Sequence, residues 1–311
     1  MNAAYIVCLL IGAVICAGLF AWKLKQYHLP MHTALAGLPL AAVLGLIAAK
    51  AGYFLLELRD QWARYGIAGL WTDRPSEFSF VCGAMGVVLA VALTARLLHQ
   101  PVLRTLDAFA PCGALMAAFT RACEGLLDPM SLVGMGDFVE NEALWFFPVA
   151  AENQMLYSWF YAVFMLEAAC ALIVAVAAFI RSRKGGFAPG RVFLHTAFFL
   201  ALPQIFCERL LNQCMKWGFV RIEQLLCAVI VFVIILYACI RCRGGIKAFW
   251  PALLCLVCVA VLIWMEFTLD NKLLFGIDLP TSVCYGLMIA ALGCMAALSM
   301  IAYRKLNKSQ Q

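Results

Sequence analysis

Ala108-Phe-Ala-Pro-Cys-Gly-Ala-Leu-Met-Ala-Ala-Phe-Thr-Arg121 is the stretch that decides how this chain is read. An almost wholly apolar run ends on an arginine, and Glu124 follows three residues later. In a bilayer such an arginine is costly. A guanidinium does not shed its proton, and placing it at the centre of a membrane helix costs at least about 2.5 kcal/mol. Arg121 therefore needs an anion, a polar cavity or a place near the headgroups. A phosphate suits it, because the planar fork binds two oxygens at once and lipid headgroups supply phosphates at that depth. A buried Arg–Glu pair that only fixes helix packing accounts for the same residues.

Composition makes the bilayer the right frame. Hydrophobic residues form 65% of the 311-residue chain and charged residues 13%, with mean hydropathy +0.93, far from the balance of a soluble domain. Apolar runs of about 20 residues, long enough to cross a hydrocarbon core, recur along it. The fold class expected is all-α and polytopic, with about nine spans: Ala3–Trp22, Thr33–Leu56, Phe78–Leu98, Leu106–Thr120, Met155–Ile180, Val192–Leu210, Ile222–Ile240, Phe249–Phe267 and Ser282–Tyr303. Ala3–Phe20 lacks a basic flank before it and reads as a first span rather than a cleaved signal. The fourth span is short and holds Pro111 and Gly113, so a kinked, tilted or partly re-entrant segment is expected there. No soluble catalytic domain is expected, and chemistry is confined to the helices and their loops.

The net charge of +6 comes from lysines and arginines flanking the spans and points to topology rather than nucleic acid. One set of loops holds Lys23, Lys25, Arg96, Arg104, Arg181, Arg183, Lys184, Arg191, Arg241, Arg243, Lys247, Arg304, Lys305 and Lys308. The other holds Arg59, Arg64, Arg74, Arg209, Lys216, Arg221 and Lys272, mixed with acids. That asymmetry places the N-terminus outside and the C-terminus in the cytoplasm. Trp22, Trp62, Trp71, Trp145, Trp159 and Trp217 sit near span ends, as an interfacial belt would.

The fifteen cysteines fall mostly within apolar runs, where they act as small hydrophobes. Cys239-Ile-Arg-Cys242 and Cys255-Leu-Val-Cys258 have metal-like spacing but no nearby histidine, so no metal and no cofactor is expected. The connection Ala122–Asn153 is the longest. It carries Glu124, Asp128, Asp137, Glu140, Glu142 and Glu152 without a lysine or arginine, plus Gly125, Gly134 and Gly136. A binding loop or lid and a solvated acidic linker both fit it. Gly83 and Gly86 lie within a span, where glycine lets helices approach closely. A solute path lined by Arg121 and Glu124 is a weaker reading, since no inverted repeat with paired broken helices accompanies it.

Several separated segments, in order, resemble prolipoprotein diacylglyceryl transferase, the bacterial inner-membrane enzyme that lipidates lipoprotein precursors. They begin with His28-Leu-Pro and the span ending Lys50-Ala-Gly52-Tyr53, where the family has Gly-Arg-x-Gly-Tyr. Ser79-Phe-Val-Cys-Gly83-Ala-Met-Gly86 is similar to its Ser-Phe-His-Gly-Gly-Leu-x-Gly. Asp107, Ala110-Pro111 and Arg121 follow the spacing of a family aspartate, Ala-Pro pair and the Arg of Gly-Arg-x-Gly-Asn. Gln154-Met-Leu156-Tyr157 looks like His-Pro-x-Gln-Leu-Tyr, Gly190 through Glu208 like Gly-x-x-Phe … Arg-x-x-x-Glu, and Ile222-Glu-Gln224-Leu like the entry to the family's last helix. The resemblance covers residues 1–243. Residues 244–311 read as an added transmembrane hairpin and basic tail.

The resemblance implies transfer of a diacylglyceryl group from phosphatidylglycerol to the lipobox cysteine of a prolipoprotein signal peptide, in the bacterial cytoplasmic membrane. Its catalytic candidates are Arg121 as phosphate clamp and Tyr53; the base is not carried over from the family, and Glu124 or Glu152 serves as one if burial raises its pKa. Its substrate-binding candidates are Gly83, Gly86, Tyr157, Gln204, Glu208 and Arg209. Departures are as clear: the family histidine is Val81, the asparagine of Gly-Arg-x-Gly-Asn is Glu124, the histidine of His-Pro-x-Gln-Leu-Tyr falls at Glu152, and the second arginine is Gln204, with Arg209 close by. They leave open a non-catalytic member that binds phospholipid or signal peptide. For Tyr53 and Tyr157, interfacial anchoring is the simpler role.

Overall fold

Hydrophobic runs become helices here because a bilayer offers the backbone no hydrogen-bond partner, so every amide must be satisfied within its own segment. The structure, a computed structural model, describes residues 3–72, 76–126, 130, 132–184, 188–217, 220–241, 249–270 and 279–310, without the side chains of 184 and 304–310. Arg74, Asp128, Cys242, Arg243, Lys247 and Lys272, and the side chains of Lys184, Arg304, Lys305 and Lys308, lie outside the described residues. The helices are α1 (Ala3–Gln26), α2 (His32–Leu56), α3 (Leu58–Tyr65), α4 (Phe80–Leu97), α5 (Val102–Ala122), α6 (Val163–Lys184), α7 (Arg191–Leu210), α8 (Ile222–Arg241), α9 (Trp250–Leu269) and α10 (Thr281–Gln310).

The chain is an all-α polytopic membrane protein. Among the described residues, eight helices are long and apolar enough to cross a bilayer: α1, α2, α4, α5, α6, α8, α9 and α10. The sixth expected span, Val192–Leu210, is a helix, α7, but His195, Gln204, Glu208 and Arg209 leave it short of that apolarity. The fifth expected span starts later than Met155, at Val163, because the residues before it form a hairpin. Nor is the fourth span short or re-entrant. α5 runs unbroken through Pro111 for 21 residues, and its first turns, with Arg104, Thr105 and Asp107, are too polar to read as a span by hydropathy.

The chain divides into two compact units, residues 1–200 with 210–215, and residues 201–209 with 216–311. In the first, Phe20 and Leu24 of α1, Ala41 of α2, Ala90 and Val91 of α4 and Leu106, Ala108 and Phe109 of α5 build one buried cluster. Phe20 and Phe109 meet edge to face at 5.4 Å. α2 and α4 cross closely through glycines. A Cβ on Gly86 would stand 2.5 Å from Cβ of Ala48 and 2.6 Å from the carbonyl oxygen of Leu44, and one on Gly83 would lie 3.1 Å from Cβ of Ala49. This is the small-residue contact that lets membrane helices gain dispersion energy where no hydrophobic force drives them together.

Asp107 does structural work. Its carboxylate accepts hydrogen bonds from the backbone N–H of Gly190 (2.6 Å) and Phe193 (2.8 Å), satisfying the open amides at the start of α7, which has no side-chain cap of its own. Lys23, counted above as a loop charge, is fully buried at the end of α1. It donates to Ser182 Oγ at 2.5 Å and Gln26 Oε1 at 3.0 Å and lies 4.5 Å from the Phe179 ring centre.

The long acidic connection is folded. Ala150–Asn153 (β1) and Ser158–Tyr161 (β2) form an antiparallel hairpin. Residues 136–139 pair with the other edge of β2, through Gly136 N–H to Tyr161 O (2.8 Å), Val139 N–H to Trp159 O (2.9 Å) and Tyr161 N–H to Asp137 O (3.0 Å). Trp145 stacks on Trp159 at 6.2 Å and donates its indole N–H to Val139 O at 2.9 Å. A solvated linker is therefore excluded for this part of the connection.

In the second unit a two-residue hairpin, Lys216–Trp217 (β3) with Val220–Arg221 (β4), leads into α8. α8 packs on α9 and α10, with Ile235, Met265, Met288 and Met295 fully buried. Methionine fills the gaps between such helices easily, having three rotatable bonds and a polarisable sulfur.

Candidate active site

Arg121 occupies the last turn of α5, buried within the protein at 6% exposure. Its Nη1 lies 2.5 Å from Oε1 of Glu124, one turn onward, and its Nε lies 2.9 Å from Oε2 of Glu167 on α6. The Phe80 ring, at the start of α4, covers the guanidinium at 4.0 Å. Two carboxylates, a cation and an aromatic face thus meet where α4, α5 and α6 converge. With both acids ionised the ion-pair set carries a net charge of −1. A phosphate reaching Arg121 has to displace one carboxylate or meet it protonated.

The neighbouring loop holds Glu124 in place. Gly134 has φ +73°, a left-handed conformation that favours glycine. A Cβ there would stand 2.7 Å from Oε2 of Glu124 and 3.0 Å from Cβ of Phe164, and the Gly134 carbonyl accepts the Phe164 N–H at 2.9 Å. A Cβ on Gly125 would also press on the Phe164 ring. Tyr5 of α1 lies within electrostatic reach of Glu124, Cys123 and Arg121.

A second charged set flanks the same entry to α4. Lys50 Nζ lies 2.9 Å from Glu77 Oε2 and 2.8 Å from Thr72 Oγ1, and Thr72 in turn donates to Glu77. Lys50 stands 5.1 Å from the Phe78 ring centre, one residue before Ser79, whose Oγ accepts the Cys82 N–H and whose own N–H bonds to Ala49 O. The segment Phe78-Ser79-Phe80 therefore separates Lys50 on one aromatic ring from Arg121 on another. Val81, at the position of the family histidine, is buried and apolar.

The structure brings only some of the sequence candidates together. Arg121 and Glu124 pair directly. Tyr53 belongs with the Lys50 set, its ring centre 6.0 Å from Lys50 Nζ. Glu152 lies on the exposed face of β1 opposite Trp159, so the burial that made it a candidate base is missing. Tyr157 sits in the hairpin turn at φ +50° and 85% exposure. Gly83 and Gly86 leave no room for a substrate, because Ala49, Ala48 and Leu44 fill the space where their side chains would be. Gln204, Glu208 and Arg209 belong to the second unit.

Sequence reasoning missed Glu167, Lys50, Glu77 and Tyr5. Glu167 carried the same signal as Arg121, a charge within an apolar run at Met165-Leu-Glu167-Ala. Lys50 was visible where the family motif has arginine, whereas Glu77 only gains meaning from the fold.

A family model for prolipoprotein diacylglyceryl transferase matches residues 3–240. Among curated proteins, none matches the chain. The matched residues run from α1 to the end of α8 and include the whole of the Arg121 and Lys50 sets. The chain belongs to the prolipoprotein diacylglyceryl transferase family, a family of membrane transferases of lipoprotein biosynthesis.

Proposed function

We propose that the protein transfers the diacylglyceryl group of phosphatidylglycerol to the lipobox cysteine of a prolipoprotein signal peptide. The observation that carries this reading is Arg121, buried at the family's arginine position and held by Glu124 and Glu167. In the reaction the cysteine sulfur attacks the glyceryl carbon bearing the phosphate, the carbon–oxygen bond to phosphate breaks, and glycerol phosphate leaves. Glu124 takes the thiol proton. Its charge is then neutralised, and Arg121 loses one competing anion just as negative charge builds on the leaving phosphate. Glu167 keeps the guanidinium oriented. Lys50, in place of a family arginine, gives the α4 entry a second cation.

The test is purified protein in phosphatidylglycerol vesicles with a lipobox peptide, following thioether-linked diacylglyceryl cysteine and released glycerol phosphate. Glu124→Gln is expected to slow transfer by about 10²–10⁴-fold, the usual worth of general-base catalysis. Unchanged turnover in that variant removes Glu124 as base. The apolar Val81 and the doubly paired Arg121 favour a second reading, a member that binds phospholipid or signal peptide without turnover. No product from the wild-type protein beside an active control decides for that second reading.

We also infer a bacterial cytoplasmic-membrane location with the N-terminus outside and the C-terminus cytoplasmic. α7 decides the second half of that statement, since with eight crossings both ends share a side. Reporter fusions are expected to read outside at Gly134 and cytoplasmic after Tyr303. An outside signal after Tyr303 means α7 does not cross.

A further inference from the structure

In the first unit α1 and α5 run antiparallel along a close seam, and two contacts set its register. Phe20 meets Phe109 edge to face at 5.4 Å. Further along, a Cβ on Gly12 would stand 2.8 Å from Cγ of Phe119. One more helical turn leads from Gly12 back to Cys8 and from Phe119 on to Cys123. The Cys123 N–H still bonds the Phe119 carbonyl at 3.1 Å, so α5 keeps its helical register as far as Cys123. The two thiols hydrogen-bond to each other. Cys123 is buried, Cys8 is half-buried, and both are free cysteines. Cys123 also stands inside an ion pair, two residues after Arg121 and directly before Glu124.

We propose that Cys8 and Cys123 are a redox-active pair, which a disulfide oxidant joins into a bond tying α1 to the turn that carries Arg121 and Glu124. Cys8, the more exposed, attacks one sulfur of the oxidant as thiolate, and one thiol of the oxidant leaves. Cys123 then attacks the Cys8 sulfur of that mixed disulfide, and the second thiol leaves. The two cysteines give up two electrons and two protons, and the oxidant takes up both as two thiols. On the orientation inferred above, this end of α1 lies on the outer side, where disulfides form and persist. A bond between residues 8 and 123 closes a long loop, so it restricts the unfolded chain strongly. Cys16 and Cys112, deeper along the same seam, are the contrast. Both are buried, and the Cys112 thiol donates to the Ala108 carbonyl at 3.7 Å.

Full-length protein in phosphatidylglycerol vesicles, reduced and then treated with 4,4′-dithiodipyridine, tests this. Non-reducing peptide mass spectrometry is expected to find Cys8 joined to Cys123, with Cys16 and Cys112 still thiols. The melting temperature is expected to rise by about 5 °C, and dithiothreitol to reverse the rise. Amide hydrogen exchange across residues 119–126 is expected to slow about tenfold, because the turn is then held from α1. Cys8→Ser and Cys123→Ser are each expected to lose the link and both of its effects. If neither serine variant folds, Cys8→Ala, at the half-buried position, carries the same test. Absence of the Cys8–Cys123 link, with or without a pyridyl adduct on Cys8, overturns the proposal. So does a link from either cysteine to a different partner. A link that leaves exchange in 119–126 unchanged overturns the coupling to the Arg121 turn. These readouts need neither turnover nor a fixed orientation, so failure of the transferase reading or of the topology is told apart from failure here.

Discussion

Replacing Arg121 with alanine is expected to destabilise the protein by about 3–5 kcal/mol and to abolish transfer, because the substitution strands two buried carboxylates. Glu124 and Glu167 lie 2.5 and 2.9 Å from the guanidinium, with side chains 10% and 2% exposed, so water compensates neither well. Arg121→Lys separates the two roles. An ammonium keeps the charge and most of the stability, but it cannot hold Glu124, Glu167 and a phosphate in the planar arrangement of the fork. Transfer in Arg121→Lys is expected to fall by about 10²–10³-fold, the cost of losing one well-placed donor to a developing anion. Thermal unfolding in detergent and the vesicle transfer assay measure the two effects. Adding Glu124→Gln and Glu167→Gln to Arg121→Ala is expected to return much of the stability and none of the activity. An Arg121→Ala protein as stable as wild type would show that the acids are not held as charges.

The second large effect is expected at a residue with no chemistry. Gly86→Val puts a branched side chain where even a Cβ stands 2.5 Å from Ala48 and 2.6 Å from a backbone oxygen of α2. A backbone atom cannot swing aside, so α2 and α4 must separate, at a cost of about 1–3 kcal/mol or more. Activity is expected to fall with stability, because α4 begins at Phe80, the ring that covers Arg121. Gly18 and Gly293 are the controls. Nothing lies within 4 Å of a Cβ at either, so alanine there is expected to leave the melting temperature and transfer unchanged. Equal tolerance at Gly86 and Gly18 would refute the close α2–α4 crossing.

Much of the fold was legible because membrane helices obey a short-range rule. Hydropathy summed over a window about as long as the hydrocarbon core found α1, α2, α4, α8 and α9 to within a few residues, and the start of α10. The same rule blurred α5 and α7, where polar residues serve tertiary contacts. Asp107 lowers the hydropathy of α5 because it caps α7. Met155 was assigned to a span because Met155-Leu-Tyr157 is apolar, yet Asn153 bonds the Met155 and Leu156 amides and turns the chain into a hairpin. Local periodicity also paired Arg121 with Glu124, since residues three apart share a helix face.

By itself the sequence determined that this is a polytopic helical membrane protein, that its motif order is that of the diacylglyceryl transferases, and that Arg121 is a charge ending an apolar run. Only the tertiary structure showed which anion joins Glu124 at that charge. Glu167 on α6 joins it, Glu152 stays on the exposed face of β1, Gly83 and Gly86 serve a helix crossing, and Glu266 of the appended hairpin reaches Arg209 and Arg221. The reason is physical. Entry into a bilayer is a sum over consecutive residues and can be read along the chain, whereas a charge's partner depends on which helix faces meet. That is set by close contacts between small residues on distant segments, to which hydropathy is blind.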